Sequence, residues 1–176
     1  MNKTIRTEQS KDYQVVENIV RLAFESEEMS DHREHLLVQR LRQSKDFVPA
    51  LSLVCEIDGE VVGHILFTKI KIVSSTSVFE SLALAPVSVL PKYQKQGIGG
   101  ALITEGHKQA KELGYTSVVV LGHEAYYPKF GYQRASKYGI RLPFDVPDQN
   151  SMAIELVPHA LDEISGVVEY PKEFME

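Results

Sequence analysis

The sequence predicts a mixed α/β fold, one sheet with helices on its faces. Three observations predict it. Stretches with helical apolar spacing flank a long run rich in β-branched residues. Asp58-Gly59 divides that run and marks an antiparallel hairpin. A glycine-rich stretch then joins a strand to a helix, and a second apolar strand follows, which is the pattern of a parallel crossover.

The elements follow in order. Thr4–Arg6 reads as a short strand. From Asp12 to Phe24, Val16, Ile19, Val20 and Ala23 recur at helical spacing. Ser30-Asp31 offers a cap to a second helix, with Glu34 placed for a capping box and Leu36, Leu37 and Leu41 as its apolar stripe. Ala50–Ile57, Val61–Val73 and Phe79–Val89 read as strands of an antiparallel meander. A third helix is expected from Ile98 to Leu113, with the stripe Ile98, Leu102, Gly106, Ala110 and Leu113, and Gly114 ends it. Ser117–Leu121 is short and apolar, which predicts burial on both faces. A short helix over Glu124–Phe130 and late strands at Gly131–Ala135 and Met152–Val157 complete the order, the last two separated by a loop with Pro143 and Pro147.

Length and composition bound the function. The 176 residues suit a single domain over 1–176, large enough to fold without disulfide or metal staples. The net charge of −5 speaks against nucleic acid as a partner. The lone Cys55 sits in an apolar run and reads as buried filler, so a reducing compartment is expected. With neither a signal-peptide pattern nor a run of roughly 20 apolar residues, the expectation is a cytoplasmic protein that makes no membrane contact. No His/Cys/Asp set has metal-ligand spacing, and no metal is expected. A monomer and a homodimer paired through the late strands are both compatible with the sequence.

The segment from Val89 to Ala101 carries the most chemistry. It delivers a strand into a helix start, where backbone N–H groups lack internal partners and the helix dipole adds positive charge. Such a start is an anion site. Gly97, Gly99 and Gly100 let a diphosphate approach the backbone, at a helix-propensity cost of roughly 1 kcal/mol each. Between Pro91 and Lys111 four lysines stand against one glutamate, a basic patch in an acidic chain. The competing reading is a glycine-rich turn that only packs a helix tightly on the sheet. No Lys-Ser/Thr pair follows the glycines, and their spacing is not Gly-x-Gly-x-x-Gly, so a nucleotide-phosphate loop is weakly supported.

Gln94-Lys95-Gln96-Gly97-Ile98-Gly99 resembles the Gln/Arg-x-x-Gly-x-Gly/Ala signature of the GNAT superfamily of N-acetyltransferases. Leu84–Pro91 is similar to the strand leading into it, and the element order matches over nearly the whole chain. The resemblance implies the GNAT fold: a mostly antiparallel twisted sheet, helices on both faces and a splayed pair of parallel strands. It implies acetyl-CoA as cosubstrate, its pyrophosphate held by backbone N–H groups of Lys95, Gln96, Gly97, Ile98, Gly99 and Gly100. The strand end Val87, Ser88 and Val89 would hold the pantetheine arm, and Pro86 stands where the splay would start, unless it is an ordinary edge-strand proline.

Tyr127-Pro128-Lys129-Phe130-Gly131-Tyr132 resembles the superfamily's Tyr-x-Lys-x-Gly-Phe/Tyr element. The match makes Tyr127 the expected general acid to the coenzyme A thiolate, with a backbone N–H near Val87 as oxyanion donor. Tyr126 is expected to line the cofactor pocket, although the two tyrosines are interchangeable at this level. Many members carry asparagine seven residues before the tyrosine, where this chain has Val120. The Gly122-His123 and double-tyrosine form resembles a bacterial subgroup of predicted acetyltransferases.

Glu80 is the first candidate for general base, with His64 and His123 as alternatives. By the same resemblance the acceptor pocket is walled by Glu25–Arg42 and Tyr138–Asn150. There Glu25, Glu27, Glu28 and Asp31 form an acidic cluster, suited to a cationic amine or simply solvated. The expected function is direct acetyl transfer to an amine; the alternative is an acyl-CoA-binding sensor or subunit without turnover.

Overall fold

The computed structural model describes residues 2–28 and 30–176. The strands are β1 (Lys3–Thr7), β2 (Phe47–Ile57), β3 (Glu60–Val73), β4 (Val78–Val89), β5 (Ser117–Leu121), β6 (Gln133–Arg134), β7 (Ile140–Arg141), β8 (Ser151–Glu155) and β9 (Gly166–Glu169). The helices are α1 (Tyr13–Phe24), α2 (Glu34–Arg42) and α3 (Ile98–Glu112), joined by several short 3-10 turns. The strands form one sheet ordered β1-β2-β3-β4-β5-β8-β6, with β9 bonded to both β3 and β7. All pairings are antiparallel except β4 with β5 and β7 with β9.

The β2–β3 hairpin turns at Asp58 and Gly59, both in the left-handed region at φ 50° and 85°, as the Asp-Gly pair requires. One sheet face is covered by α1 and α2. Val16, Val20, Val38 and Leu41 pack there on Val54, Leu66 and Ala85. The other face is covered by α3, whose Ile98, Leu102, Ile103 and Ala110 meet Ile65, Phe67, Leu82 and Val118. A third apolar cluster, around Ile72, Val119, Ile140 and Val168, fills the space beneath the late loops.

Several expected elements differ in extent. The second helix begins at Glu34, with Arg33 as its N-cap and no side-chain cap. Ser30 and Glu34 do meet, but by a side-chain bond in which Ser30 Oγ donates to Glu34 Oε2 at 2.5 Å. The expected helix over Glu124–Phe130 is only a 3-10 turn at Tyr127–Phe130, because Pro128 removes a donor. The late strand near Gly131 shrinks to Gln133–Arg134. Leu113 lies past the end of α3 and is exposed, so the stripe stops at Ala110. In β5 the first four residues are buried, whereas Leu121 is exposed where the sheet opens. β9 carried too weak a local pattern to be expected; it extends the sheet along β3 beyond the reach of β2.

Candidate active site

The site is built where β4 and β5 part. Their pairing is limited to Leu82 with Val118 and Ala83 with Val119, and beyond these residues the strands run on without partnering each other. The β3–β4 ladder is irregular at the same level. Ile65 faces Val87 and Phe67 faces Leu84, so Ala85 and Pro86 together oppose the single residue Leu66. This bulge bends β4 away from β5, and Pro86 is tolerated there because a bulge leaves its missing N–H unneeded. The opening starts two residues before the proline.

A cavity of about 510 Å³ occupies the opening. Its floor includes Leu84, Ala85, Pro86 and Val87 of β4 and Val119 and Leu121 of β5. The α1–α2 connection adds Glu27, Asp31 and Glu34, and the late loops add Phe144, Asn150 and Phe174. Tyr127 lines the cavity as well and is 8% exposed. Its ring is wedged edge-on between Tyr126 and Tyr132, with centroids 5.1 Å and 5.6 Å away. Burial, and then the neighbouring Tyr126, push its phenol well above the ordinary tyrosine range. Tyr127 is protonated at neutral pH, as an ordinary tyrosine already is, and burial strengthens that preference.

Tyr126 is placed differently. It is not among the residues lining the cavity. Its hydroxyl lies over the start of α3, where a Cβ added to Gly99 would stand 2.8 Å from it. Phe130 covers Gly100 in the same way, a Cβ there falling 3.2 Å from the ring. These two glycines thus serve packing as well as access. The helix start itself is open: Gly97 is the N-cap at φ 82°, and no side chain caps it. Ala101 N–H is the first to bond inside the helix, to the Gly97 carbonyl at 3.0 Å. Lys95 is also left-handed, at φ 63°. The backbone here forms a concave set of donors suited to phosphate oxygens.

The glutamines brace this loop. Gln94 Nε2 donates to the Val89 carbonyl at 3.0 Å, and Gln96 Nε2 to that of Lys92 at 3.4 Å. Val87 and Val89 are half-buried. Ser88 is buried, with its hydroxyl unpartnered among the described residues.

The three base candidates separate clearly. Glu80 does not reach the site. It is exposed, pairs across from Lys71, and borders a separate pocket with Lys45 and Glu169. Seven residues of strand, roughly 23 Å, lie between it and Val87. His64 is fully buried on β3, bonded through Nε2 to Ser52 Oγ at 2.9 Å. Burial and the nearby Arg42 hold it down at about 3, a neutral core histidine. His123 alone lines the cavity, and its Nε2 lies 3.3 Å from Glu27 Oε1.

Asn150 carries a role that its isolated position in the sequence did not signal. Its Nδ2 donates to the Gly122 carbonyl at 2.9 Å, and Gly122 N–H donates to the Asn150 carbonyl at 2.9 Å. The pair ties the end of β5 to the late loop and fixes the mouth of the cavity. Val120, at the position where asparagine was noted, is buried against α3. Among the described residues no group of three or more His, Cys, Asp or Glu could hold a metal, and no helix is long and apolar enough to cross a membrane.

Residues 49–134 match the model of the acetyltransferase (GNAT) domain. The uncharacterized N-acetyltransferase YhbS of Escherichia coli strain K12 is 31% identical over 171 residues, 97% of each chain. This chain belongs to the GNAT acetyltransferase family. YjhQ of the same organism, also an uncharacterized N-acetyltransferase, is 37% identical over 115 residues, which cover 65% of this chain and 64% of that protein. The crystal structure of Escherichia coli YhbS in complex with CoA superposes with a TM-score of 0.89 at 29% identity, covering 100% of this chain and 93% of that one. A GNAT acetyltransferase from Brucella melitensis in complex with acetyl-CoA gives 0.80 at 32% identity, covering 98% of both. The GNAT fold accounts for the mostly antiparallel sheet and for the parting of its parallel pair.

Proposed function

We propose that this GNAT protein moves an acetyl group directly from acetyl-CoA to an amine, with Tyr127 as general acid and His123 as proton acceptor. The observation that carries the reading is the position of the Tyr127 phenol, which lines the cavity at the strand opening. The open start of α3 fits a diphosphate: free N–H groups from Ile98 to Gly100, two left-handed residues and no capping side chain. The relatives solved with CoA and acetyl-CoA support the same cosubstrate here. Acetyl-CoA supplies a thioester carbonyl that an amine nitrogen can attack.

In that step a C–N bond forms and the C–S bond breaks. The amine, a free base once its ammonium proton has passed to water, must lose a proton and the departing sulfur must gain one. His123 takes the first, with Glu27 3.3 Å away to orient its ring. Tyr127 gives the second, and bulk water restores it. We assign stabilisation of charge on the carbonyl oxygen to a backbone N–H near Val87, beside the bulge. Direct transfer needs no covalent enzyme intermediate. The free, buried Cys55 agrees with a reducing, cytoplasmic setting.

The test separates binding from turnover. Tyr127→Phe is expected to lower kcat about 100-fold, and His123→Gln about tenfold, with acetyl-CoA affinity within about twofold of the parent in calorimetry. Acetyl-CoA binding without thiol release for any amine would instead favour the acyl-CoA sensor. Unchanged turnover in Tyr127→Phe would remove that residue from the mechanism.

A further inference from the structure

We propose that the acceptor is an aralkylamine, a primary ammonium joined by a short alkyl chain to an aromatic ring. The inference rests on the acetyltransferase reading and adds the class of acceptor. Two chemically distinct sets of groups line the one cavity. The first is a row of rings. Phe144 and Tyr170 have centroids 5.2 Å apart at 35°, and Tyr170 and Phe174 4.5 Å apart at 32°. All three line the cavity and give it an aromatic wall that another ring can contact.

The second set is acidic. Glu27, Asp31 and Glu34 reach the cavity from the α1–α2 connection, and Glu176 from the far end of the chain. Glu34 is the informative one. Its Oε2 accepts from Ser30 Oγ, while Oε1 is shielded from water and has no partner among the described residues. A shielded carboxylate oxygen without a donor is costly, and a small rotation of the side chain toward the cavity would let an ammonium supply the donor and the opposite charge.

The two guanidiniums of the lining do not offset this field. Arg40 Nε donates to the Glu173 carbonyl at 3.1 Å and lies 4.0 Å from Glu176. Arg33 is exposed. A carboxylate beside the amine, as in an amino acid, would meet more acid than base. A polyamine would engage the carboxylates but bring no ring to the aromatic wall. A cavity of about 510 Å³, shared with the acetyl end, suits a small molecule.

Saturation-transfer NMR on the CoA-loaded protein reads acceptor binding without turnover, with phenethylamine, spermidine and L-phenylalanine as probes. Thiol release from acetyl-CoA with the same three reads transfer. Phenethylamine is expected to saturate through its ring protons, and its kcat/KM to exceed the others by about tenfold or more. Phe174→Ala should raise its KM about tenfold with kcat within about twofold, because the ring contact serves ground state and transition state alike. Glu34→Gln should raise KM in the same direction. Spermidine or L-phenylalanine as the better substrate, no saturation by phenethylamine, or an unmoved KM in Phe174→Ala overturns the proposal. Saturation by phenethylamine with no thiol release upholds the proposal and tells against catalysis.

Discussion

Gly122 lies flat against the ring of Tyr127, so closely that a Cβ at Gly122 would overlap the ring carbons. The glycine before His123 therefore has a steric purpose: it leaves room for the phenol that faces the cavity. Gly122 is also bonded twice to Asn150, which keeps its backbone from retreating.

Gly122→Ala is expected to push the Tyr127 ring out of place. Turnover should fall at least about tenfold, while stability drops by only about 1–3 kcal/mol, the usual range for overpacking. Thiol release and a thermal melt on the same preparation check both. Combining Gly122→Ala with Tyr127→Phe should cost little beyond Tyr127→Phe alone, since both act on one hydroxyl.

Gly99 and Tyr126 make a second coupled pair, at the start of α3. A methyl at Gly99 would sit 2.8 Å from the Tyr126 hydroxyl and beside the free N–H groups. Gly99→Ala is expected to weaken acetyl-CoA binding about tenfold, measured by calorimetry. Tyr126→Phe removes the clashing oxygen, so the double variant should recover part of that loss. If the hydroxyl instead contributes mainly to cofactor binding, the double variant will bind worse than Gly99→Ala.

The buried polar network under α1 and α2 predicts acid sensitivity. Arg42 is nearly enclosed and pairs with Glu8 at 2.7 Å and Glu17 at 2.7 Å. His64 lies beside this pair, 3.7 Å from Glu8 Oε2, yet stays neutral because Glu8 is committed to Arg42 and the site is dry. His107 is likewise held down at about 4 by burial. Both histidines are depressed from about 6.5, so the unfolded chain binds protons that the folded chain refuses. Stability should then fall as pH drops from about 6.5 towards 4, by about 1.4 kcal/mol per unit for each histidine. Urea melts at pH 7, 6 and 5 check the slope. Arg42→Met, which leaves Glu8 buried without its cation, should cost about 3–5 kcal/mol at pH 7.

What the sequence determined by itself was whatever depends on near neighbours along the chain. Asp58-Gly59 dictated its own turn, and Gly97 its own left-handed cap, since both follow from backbone sterics at single residues. The uncapped, glycine-rich helix start and the tyrosine-bearing turn were legible for the same reason. Even the choice between Tyr126 and Tyr127 was not, because adjacent residues in a 3-10 turn point to different sides and only packing says which side is the cavity. Glu80 was on the right strand but at its wrong end, a distance along β4 that only the register fixes. The cavity walls were legible in part: the family resemblance placed Glu25–Arg42 and Tyr138–Asn150 around the acceptor, and Glu27 and Asn150 do line the cavity, whereas Tyr170 and Phe174 lie outside both stretches. These segments share one cavity only because the fold brings them together, and no residue carries a local mark of a neighbour a hundred positions away.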